Sequence, residues 1–172
     1  MNFKKLGSVL AKRKMLTLFQ TGGDQWIGDD YSMYELSGMP EFTIDTLLFT
    51  FGVNMEKKDN WVTTETVFPY DCNLYEDTGT DIQVVIDNNY VIWRGTQIAL
   101  LHVADKCLVL PERYLTPIYS DQMQLYLRAM PGTGETKIIA KEGLFITAIF
   151  QPISAPDEMV NWISEINTQI IQ

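Results

Sequence analysis

Residues 82–102 read IQVVIDNNYVIWRGTQIALLH, and this stretch decides the fold class of the chain. Two runs rich in β-branched and aromatic residues, Ile82–Ile86 and Tyr90–Arg94, flank Asp87-Asn88-Asn89, a sequence typical of a turn that tolerates positive φ. We therefore predict a hairpin here, with Gly95 as a bulge before a third strand over Thr96–His102. Strands that follow one another this closely pair with their neighbours, so the sequence predicts a mostly antiparallel sheet.

The same pattern extends in both directions along the chain. Towards the N-terminus, residues 15–36 are predicted to form a three-stranded meander and residues 61–68 a further strand, because turn-prone segments separate β-prone runs. Towards the C-terminus, apolar runs predict strands over residues 107–110, 122–130, 136–141 and 144–150.

Three segments have helical periodicity instead. An apolar stripe over residues 2–13 predicts a short amphipathic helix with basic flanks. Thr43 is a candidate N-cap for a central helix over Ile44–Phe51, and residues 157–171 are predicted to form an amphipathic C-terminal helix. The predicted fold class is α+β: a mostly antiparallel sheet with a short basic N-terminal helix, one central short helix and an amphipathic C-terminal helix.

A chain of 172 residues with 46% hydrophobic and 20% charged residues has the composition of a globular protein. Its length fits a single domain over residues 1–172, and Asn54–Asn60 is the one place where a boundary could divide it. The chain has no run of eighteen apolar residues, and its basic N-terminus lacks the apolar segment of a signal peptide. We therefore expect no membrane association, a cytoplasmic location, and reduced thiols at Cys72 and Cys107.

Charge is distributed very unevenly. Between Met15 and Trp93 the chain carries fourteen Asp or Glu residues and only two basic residues, Lys57 and Lys58. The same stretch holds thirteen of the twenty aromatic residues, which indicates folded protein with a negative surface. A net charge of −9 opposes contact with nucleic acid over most of the surface and favours basic partners.

One segment combines aromatic rings with carboxylates and is the candidate partner-binding face. The rings are either core residues behind a solvated acidic rim or anchors of a protein-binding surface. Spaced carboxylates on a rigid sheet also imitate the phosphates of a nucleic acid, and the loop from Asp71 to Asp81 extends the acidic region. The candidate residues are Asp24, Trp26, Asp29, Asp30, Tyr31, Tyr34 and Glu35.

The first fourteen residues are basic. Their cationic side chains either keep the first helix soluble or contact nucleic acid while the acidic body engages a protein. The residues concerned are Lys4, Lys5, Lys12, Arg13 and Lys14.

No catalytic, metal-binding or cofactor motif is recognisable, so we expect a protein that is not an enzyme. His102, the only histidine, follows an apolar run and is expected to be packed as a core or strand-end residue. Gly28-Asp29-Asp30 is typical of a turn. The remaining enzymatic hypothesis is a metal-dependent nuclease site built from Asp121, Glu135 and Lys137.

Residues 25–36, QWIGDDYSMYEL, and residues 141–149, KEGLFITAI, resemble small proteins carried by phages and mobile elements of Firmicutes-type bacteria. At least one group of these proteins acts as an anti-CRISPR inhibitor of type II RNA-guided nucleases. The resemblance implies a phage protein that works in the cytoplasm of a bacterial host cell.

Two functional hypotheses follow for a chain without catalytic activity. The first is an acidic protein-binding inhibitor that docks on a basic nucleic-acid-handling enzyme of the host, with a type II RNA-guided nuclease as the implied partner. The second is a phage-type accessory or structural protein that self-associates through sheet edges. The sequence leaves the partner, the oligomeric state and contact with DNA or RNA open.

Overall fold

Eleven strands pair into one continuous sheet in the computed structural model, which describes residues 1–70, 81–104, 106–130 and 133–159. The sheet order is β11-β7-β6-β5-β8-β9-β10-β3-β2-β1-β4. Every pairing is antiparallel except that of β1 with β4, so the prediction of an α+β fold with a mostly antiparallel sheet is confirmed. The strands are β1 (Met15–Thr21), β2 (Asp24–Gly28), β3 (Ser32–Glu35), β4 (Val62–Val67), β5 (Ile82–Trp93), β6 (Thr96–Val103), β7 (Lys106–Pro111), β8 (Met123–Ala129), β9 (Thr136–Glu142), β10 (Phe145–Phe150) and β11 (Ile153–Ser154).

The hairpin predicted around Asp87-Asn88-Asn89 is wrong. β5 continues through these residues and pairs with β6 on both sides of them, with Ile86 opposite Leu101 and Tyr90 opposite Ala99. The register shifts between these pairs, which makes the segment an irregularity within one long strand. The chain reverses instead at Arg94-Gly95, where both residues have positive φ, 48° and 76°. A two-residue hairpin of this kind requires two successive positive φ angles, and glycine adopts one of them without strain.

The predicted meander over residues 15–36 is present as β1, β2 and β3. At the end of β2, Gly28 lies so close to β3 that a Cβ placed there would be 1.9 Å from the carbonyl oxygen of Ser32. The backbone amide of Asp29 donates a hydrogen bond of 2.9 Å to that same oxygen. Glycine is therefore required for the close approach of the two strands.

Two α-helices cover the sheet. The basic helix α1 spans Phe3–Arg13, and the Asn2 side chain caps it by accepting a hydrogen bond from the amide of Lys5. The central helix α2 spans Ile44–Thr50 and begins with a capping box between Thr43 and Thr46. Residues 157–159 are helical, and the rest of the C-terminal helix predicted over 157–171 lies outside the described residues.

The segment proposed as a domain boundary has its own structure. Met55–Asn60 forms a 3-10 helix, and the ammonium group of Lys58 lies 2.7 Å from a carboxylate oxygen of Asp45 in α2. A second 3-10 helix, Glu112–Tyr114, follows β7.

The sheet is strongly curved. Only Gln151 and Pro152 separate β10 from β11. The Cα atoms of Phe150 and Ile153 can therefore lie at most about 11 Å apart. A flat sheet in the observed order would place these two strands about 29 Å apart. The sheet therefore wraps round, and its concave face encloses one core to which strands, α1 and α2 all contribute. Its fully buried members include Leu10, Leu18, Tyr34, Leu48, Leu101 and Phe150.

The convex face is also covered in two places. Phe68 and Tyr70 cover a cluster on β1, β2 and β10 that contains Trp26 and Ile149. Met159 covers a second cluster on β5, β6 and β7. The central strands are thus buried on both faces.

Candidate functional site

The rings of the predicted acidic and aromatic face are mostly core residues. Trp26 is 1% exposed, with its ring 5.1 Å from that of Phe68. Tyr34 is fully buried, and its hydroxyl donates a hydrogen bond of 2.8 Å to the carbonyl oxygen of Tyr114. Burial raises the pKa of Tyr34 well above its usual value. The prediction that Trp26 and Tyr34 anchor a partner is wrong, because β2 and β3 are covered on both faces.

The two adjacent aspartates of the predicted face have different surroundings. Asp29 is 4% exposed, and its Oδ1 accepts hydrogen bonds from the amides of Tyr31 and Ser32 and from the Ser32 hydroxyl. Its Oδ2 accepts a hydrogen bond of 3.3 Å from the hydroxyl of Tyr114. This geometry is that of a structural Asx turn, as the sequence predicts for Gly28-Asp29-Asp30.

Asp30 and Tyr31 are exposed, but Arg13 at the end of α1 contacts both of them. A guanidinium nitrogen of Arg13 lies 3.3 Å from Oδ2 of Asp30, and the same group lies over the Tyr31 ring, 4.5 Å from its centroid. A basic residue from the N-terminal helix therefore neutralises this part of the predicted face.

Asp24 and Glu35, the remaining members, line two pockets that share Met39. We call these the acidic double pocket. The first, of about 320 Å³, is lined by Gln20, Gly23, Asp24, Gln25, Leu36, Gly38, Met39 and Glu41. The second, of about 360 Å³, is lined by Met1, Glu35, Ser37, Met39, Ile118, Glu142, Phe145 and Thr147. Neither group of lining residues includes a lysine or an arginine.

The segment between β3 and α2 forms the rim of both pockets and is held by one side chain. The amide group of Gln25 donates to the carbonyl oxygen of Phe42 at 2.9 Å and accepts from its N–H at 2.7 Å. These paired hydrogen bonds fix Glu41 beside Asp24. Gln20 also donates to a carboxylate oxygen of Glu65 at 3.1 Å, which brings the edge strand β4 next to the first pocket.

The second pocket combines carboxylates with exposed apolar surface. Phe145 is 65% exposed, and Met1 and Met39 are each more than 40% exposed. Apolar walls beside carboxylates suit the long side chains of Lys and Arg, which have an apolar stem and a charged end. The sequence alone could not identify Glu142 and Phe145 as neighbours of Glu35, because the pairing of β10 with both β3 and β9 brings them there.

The basic N-terminal residues point elsewhere. Lys4, Lys5, Lys12 and Lys14 are exposed along or just after α1. None of them lines the acidic double pocket. Arg13 is partly buried through its contacts with Asp30 and Tyr31. The basic N-terminal residues are therefore separate from the acidic double pocket.

The structure does not bring the three residues of the nuclease hypothesis together. Glu135 and Lys137 form an ion pair of 2.9 Å. Asp121, however, precedes β8, whose N-terminal end pairs with the C-terminal end of β9. It is therefore separated from Glu135 by the length of a seven-residue strand, about 20 Å. Within the described ranges no group of three His, Cys, Asp or Glu residues is placed to hold a metal ion.

The environment of Lys137 also argues against the nuclease hypothesis, and that of His102 differs from the packed core position that the sequence suggests. Burial lowers the pKa of Lys137, but hydrogen bonds with Glu135 and Tyr70 outweigh this and raise it above its usual value. Lys137 therefore stays protonated at neutral pH. His102 is not a core residue: its side chain is about half exposed and lies 3.3 Å from Asp87. Cys72 and the acidic loop over residues 71–80 lie outside the described residues.

Comparison with known protein families, characterised proteins and solved structures finds no match to this chain. None of the helices in the described ranges is long and apolar enough to cross a membrane.

Proposed function

We propose that this protein is a non-enzymatic binding protein that docks on a basic partner through the acidic double pocket. One observation supports this most directly: the exposed residues Asp24, Glu41 and Glu142 line two adjoining pockets to which no described lysine or arginine contributes. An acidic surface of this kind accelerates association with a basic partner, and its effect decreases as salt increases.

The partner class we propose is a nucleic-acid-handling enzyme of a bacterial host. Such enzymes present Lys and Arg side chains where they bind phosphates. Side chains of this type match the acidic and apolar lining of the double pocket. A type II RNA-guided nuclease is the partner that the resemblance to phage proteins implies, and occupation of its nucleic-acid channel would make the protein an anti-CRISPR inhibitor.

Charge reversal tests the proposal. The variant carrying Asp24→Lys and Glu41→Lys is expected to bind a purified type II RNA-guided nuclease at least tenfold more weakly than the wild type. The control variant carries Glu56→Lys and Asp59→Lys, two exposed acids on the 3-10 helix, and changes the net charge equally. Dissociation constants are measured at low and high salt. Equal losses in both variants, or affinity that does not change with salt, would contradict docking at this site.

The structure offers a specific observation in favour of the second hypothesis, self-association. β4 ends the sheet order, and all six of its residues are exposed, with Val67 at 76%. The amides of Val62 and Phe68 donate to carbonyl oxygens of β1 and of the residue before it. The backbone N–H and C=O groups of successive residues point to opposite sides of a strand. Those of Thr63, Glu65 and Val67 therefore point away from β1. A strand of a second molecule can form hydrogen bonds with an exposed edge of this kind.

Light scattering distinguishes the two functions. Pairing through β4 predicts a defined oligomer that Val67→Lys converts to a monomer, since a charged residue on an edge strand disfavours pairing. A wild-type monomer at concentrations where the basic partner is bound would exclude self-association as the function.

A further inference from the structure

A third pocket, of about 240 Å³, lies on a different part of the molecule. It is formed where the end of α1, the 3-10 helix after β7 and the strand β11 meet. Its polar lining consists of Arg13, Tyr31, Arg113, Tyr114 and Gln151, and it shares no residue with the acidic double pocket. We call it the arginine pocket.

Both guanidinium groups of the arginine pocket are held against aromatic rings. That of Arg13 lies 4.5 Å from the centroid of the Tyr31 ring, and that of Arg113 lies 5.0 Å from the centroid of the Tyr114 ring. Such contacts restrict the orientation of a planar guanidinium group while its N–H groups bond at the edge, as Arg13 does with Asp30. The two charged groups are thus positioned before any ligand binds.

Arg113 has an unused donor. Its Nε atom is buried and forms no hydrogen bond with any described atom, and its guanidinium takes part in none of the ion pairs of the described residues. Buried donors in folded proteins nearly always have an acceptor. Because Nε is closed to solvent, an anion in the pocket would bind the terminal nitrogens of the Arg113 guanidinium, and its charge would also act on Nε–H.

The carboxylates beside the pocket do not supply this acceptor. Both oxygens of Asp29 already accept hydrogen bonds, three on Oδ1 and one on Oδ2. Asp30 contacts Arg13 and not Arg113, at 3.3 Å and with more than half of its side chain exposed. An exposed ion pair of this length contributes little and can be exchanged for a stronger anion.

We propose that the arginine pocket binds the phosphate group of a nucleotide or of a nucleic-acid strand. A carboxylate has two oxygens, which match the two parallel N–H groups of a single guanidinium in bidentate pairing. Two guanidinium groups lining one pocket suit an anion with at least three acceptor oxygens, which a phosphate group has.

Binding is tested with three probes at 0.15 M salt, where charges more than about 8 Å away are largely screened. The probes are inorganic phosphate, adenosine monophosphate and a fluorescein-labelled oligothymidylate of ten nucleotides. We expect the Nε–H resonance of Arg113 to shift on titration of the wild type. Arg113→Gln is expected to lower the affinity at least tenfold, and Arg113→Lys is expected to restore only part of it, since lysine keeps the charge but not the planar fork.

Arg94→Gln is the matched control. Arg94 is also an arginine whose guanidinium lies over an aromatic ring, that of Trp93 at 5.7 Å, but it is largely exposed and does not line the pocket. Its replacement removes the same charge and should leave binding unchanged. No resonance shift with any probe, or equal losses in Arg94→Gln and Arg113→Gln, would overturn the proposal.

The probes also identify the source of the phosphate. Binding of the mononucleotide without the oligonucleotide indicates a small-molecule ligand, and oligonucleotide binding that inorganic phosphate displaces indicates a strand. The inference is independent of the proposed docking function. The variant with Asp24→Lys and Glu41→Lys should retain phosphate binding even where it no longer binds the basic partner.

Discussion

At the scale of single residues, Asp81 is a buried carboxylate with two cationic partners. Its carboxylate accepts hydrogen bonds from Nε and Nη2 of Arg128 at 2.7 and 2.6 Å, and from Nζ of Lys141 at 2.6 Å. The Arg128 side chain is only 2% exposed and that of Asp81 is 6% exposed. Asp81, the residue before β5, therefore pairs with one cation on β8 and one on β9.

Replacing Asp81 by asparagine is expected to lower the free energy of unfolding by about 3–5 kcal/mol, because it removes the negative charge from a buried ion-pair network while Arg128 and Lys141 keep their positive charge. The control is Asp45→Asn, which removes the exposed ion pair with Lys58 and should cost at most about 1 kcal/mol. Urea denaturation of both variants measures the difference. Similar losses in the two variants would show that burial does not amplify the Asp81 interaction.

The pKa of Asp81 predicts how the stability of the protein changes with pH. Burial raises the pKa of Asp81, but hydrogen bonds from Arg128 and Lys141 outweigh burial, so the folded-state pKa lies below the usual value. A depressed pKa contributes stability that is fully present above the unfolded-state pKa of about 3.9 and is lost as pH falls through the folded-state pKa. The stability difference between the wild type and Asp81→Asn should be constant from pH 7 to about pH 5 and shrink below about pH 4. A difference that already disappears at pH 5 would contradict a depressed pKa.

At the scale of elements, the connection between β2 and β3 depends on Gly28. Gly28→Ala is expected to destabilise the protein by at least about 2 kcal/mol, because the added methyl group collides with the backbone of Ser32 and Met33 and neither can move without breaking the β2–β3 pairing. Gly22→Ala is the control, since a Cβ at Gly22 meets no atom within 4 Å. Its effect should stay within about 0.5 kcal/mol. Thermal or urea unfolding checks both, and a tolerated Gly28→Ala would mean that the strands can separate locally.

The sequence predicted helices, strands and turns correctly where short sequence motifs determine them. It failed where long-range strand pairing determines the structure. The Thr43 cap, the Gly-rich turn after β1 and the meander follow from local chemistry and are present in the structure. The turn at Asp87-Asn88-Asn89 has equally good local chemistry, yet β5 continues through it. Pairing with β8 at its start and with β6 on both sides of this segment satisfies more backbone groups of β5 than a short hairpin would, and this long-range gain outweighs the local turn preference.

At the scale of the whole molecule, one core is formed by strands from both halves of the sheet order. Leu18 on β1, Leu101 on β6 and Phe150 on β10 belong to the same buried cluster, together with residues of both helices. The single domain expected over residues 1–172 therefore predicts one cooperative unfolding transition. Coincident denaturation curves by circular dichroism and by tryptophan fluorescence check this. Two separated transitions would instead favour a boundary near residues 54–60.

The amino-acid sequence by itself determined the fold class, the position of most strands and the separation of charge into a basic N-terminus and an acidic body. These properties depend on local periodicity and on composition, which a single sequence displays. It also indicated an acidic surface, but of the seven residues predicted for it only Asp24 and Glu35 line the acidic double pocket.

Only the tertiary structure decided which side chains share a surface. Trp26 and Tyr34 became core residues because both faces of their strands are covered, and alternation along a strand cannot distinguish a covered face from an exposed one. Glu142 lies beside Glu35, and Arg113 beside Arg13, because strands and helices distant in sequence pack together. Such neighbours are set by the curvature of the sheet and its long-range pairing, to which no local sequence pattern corresponds.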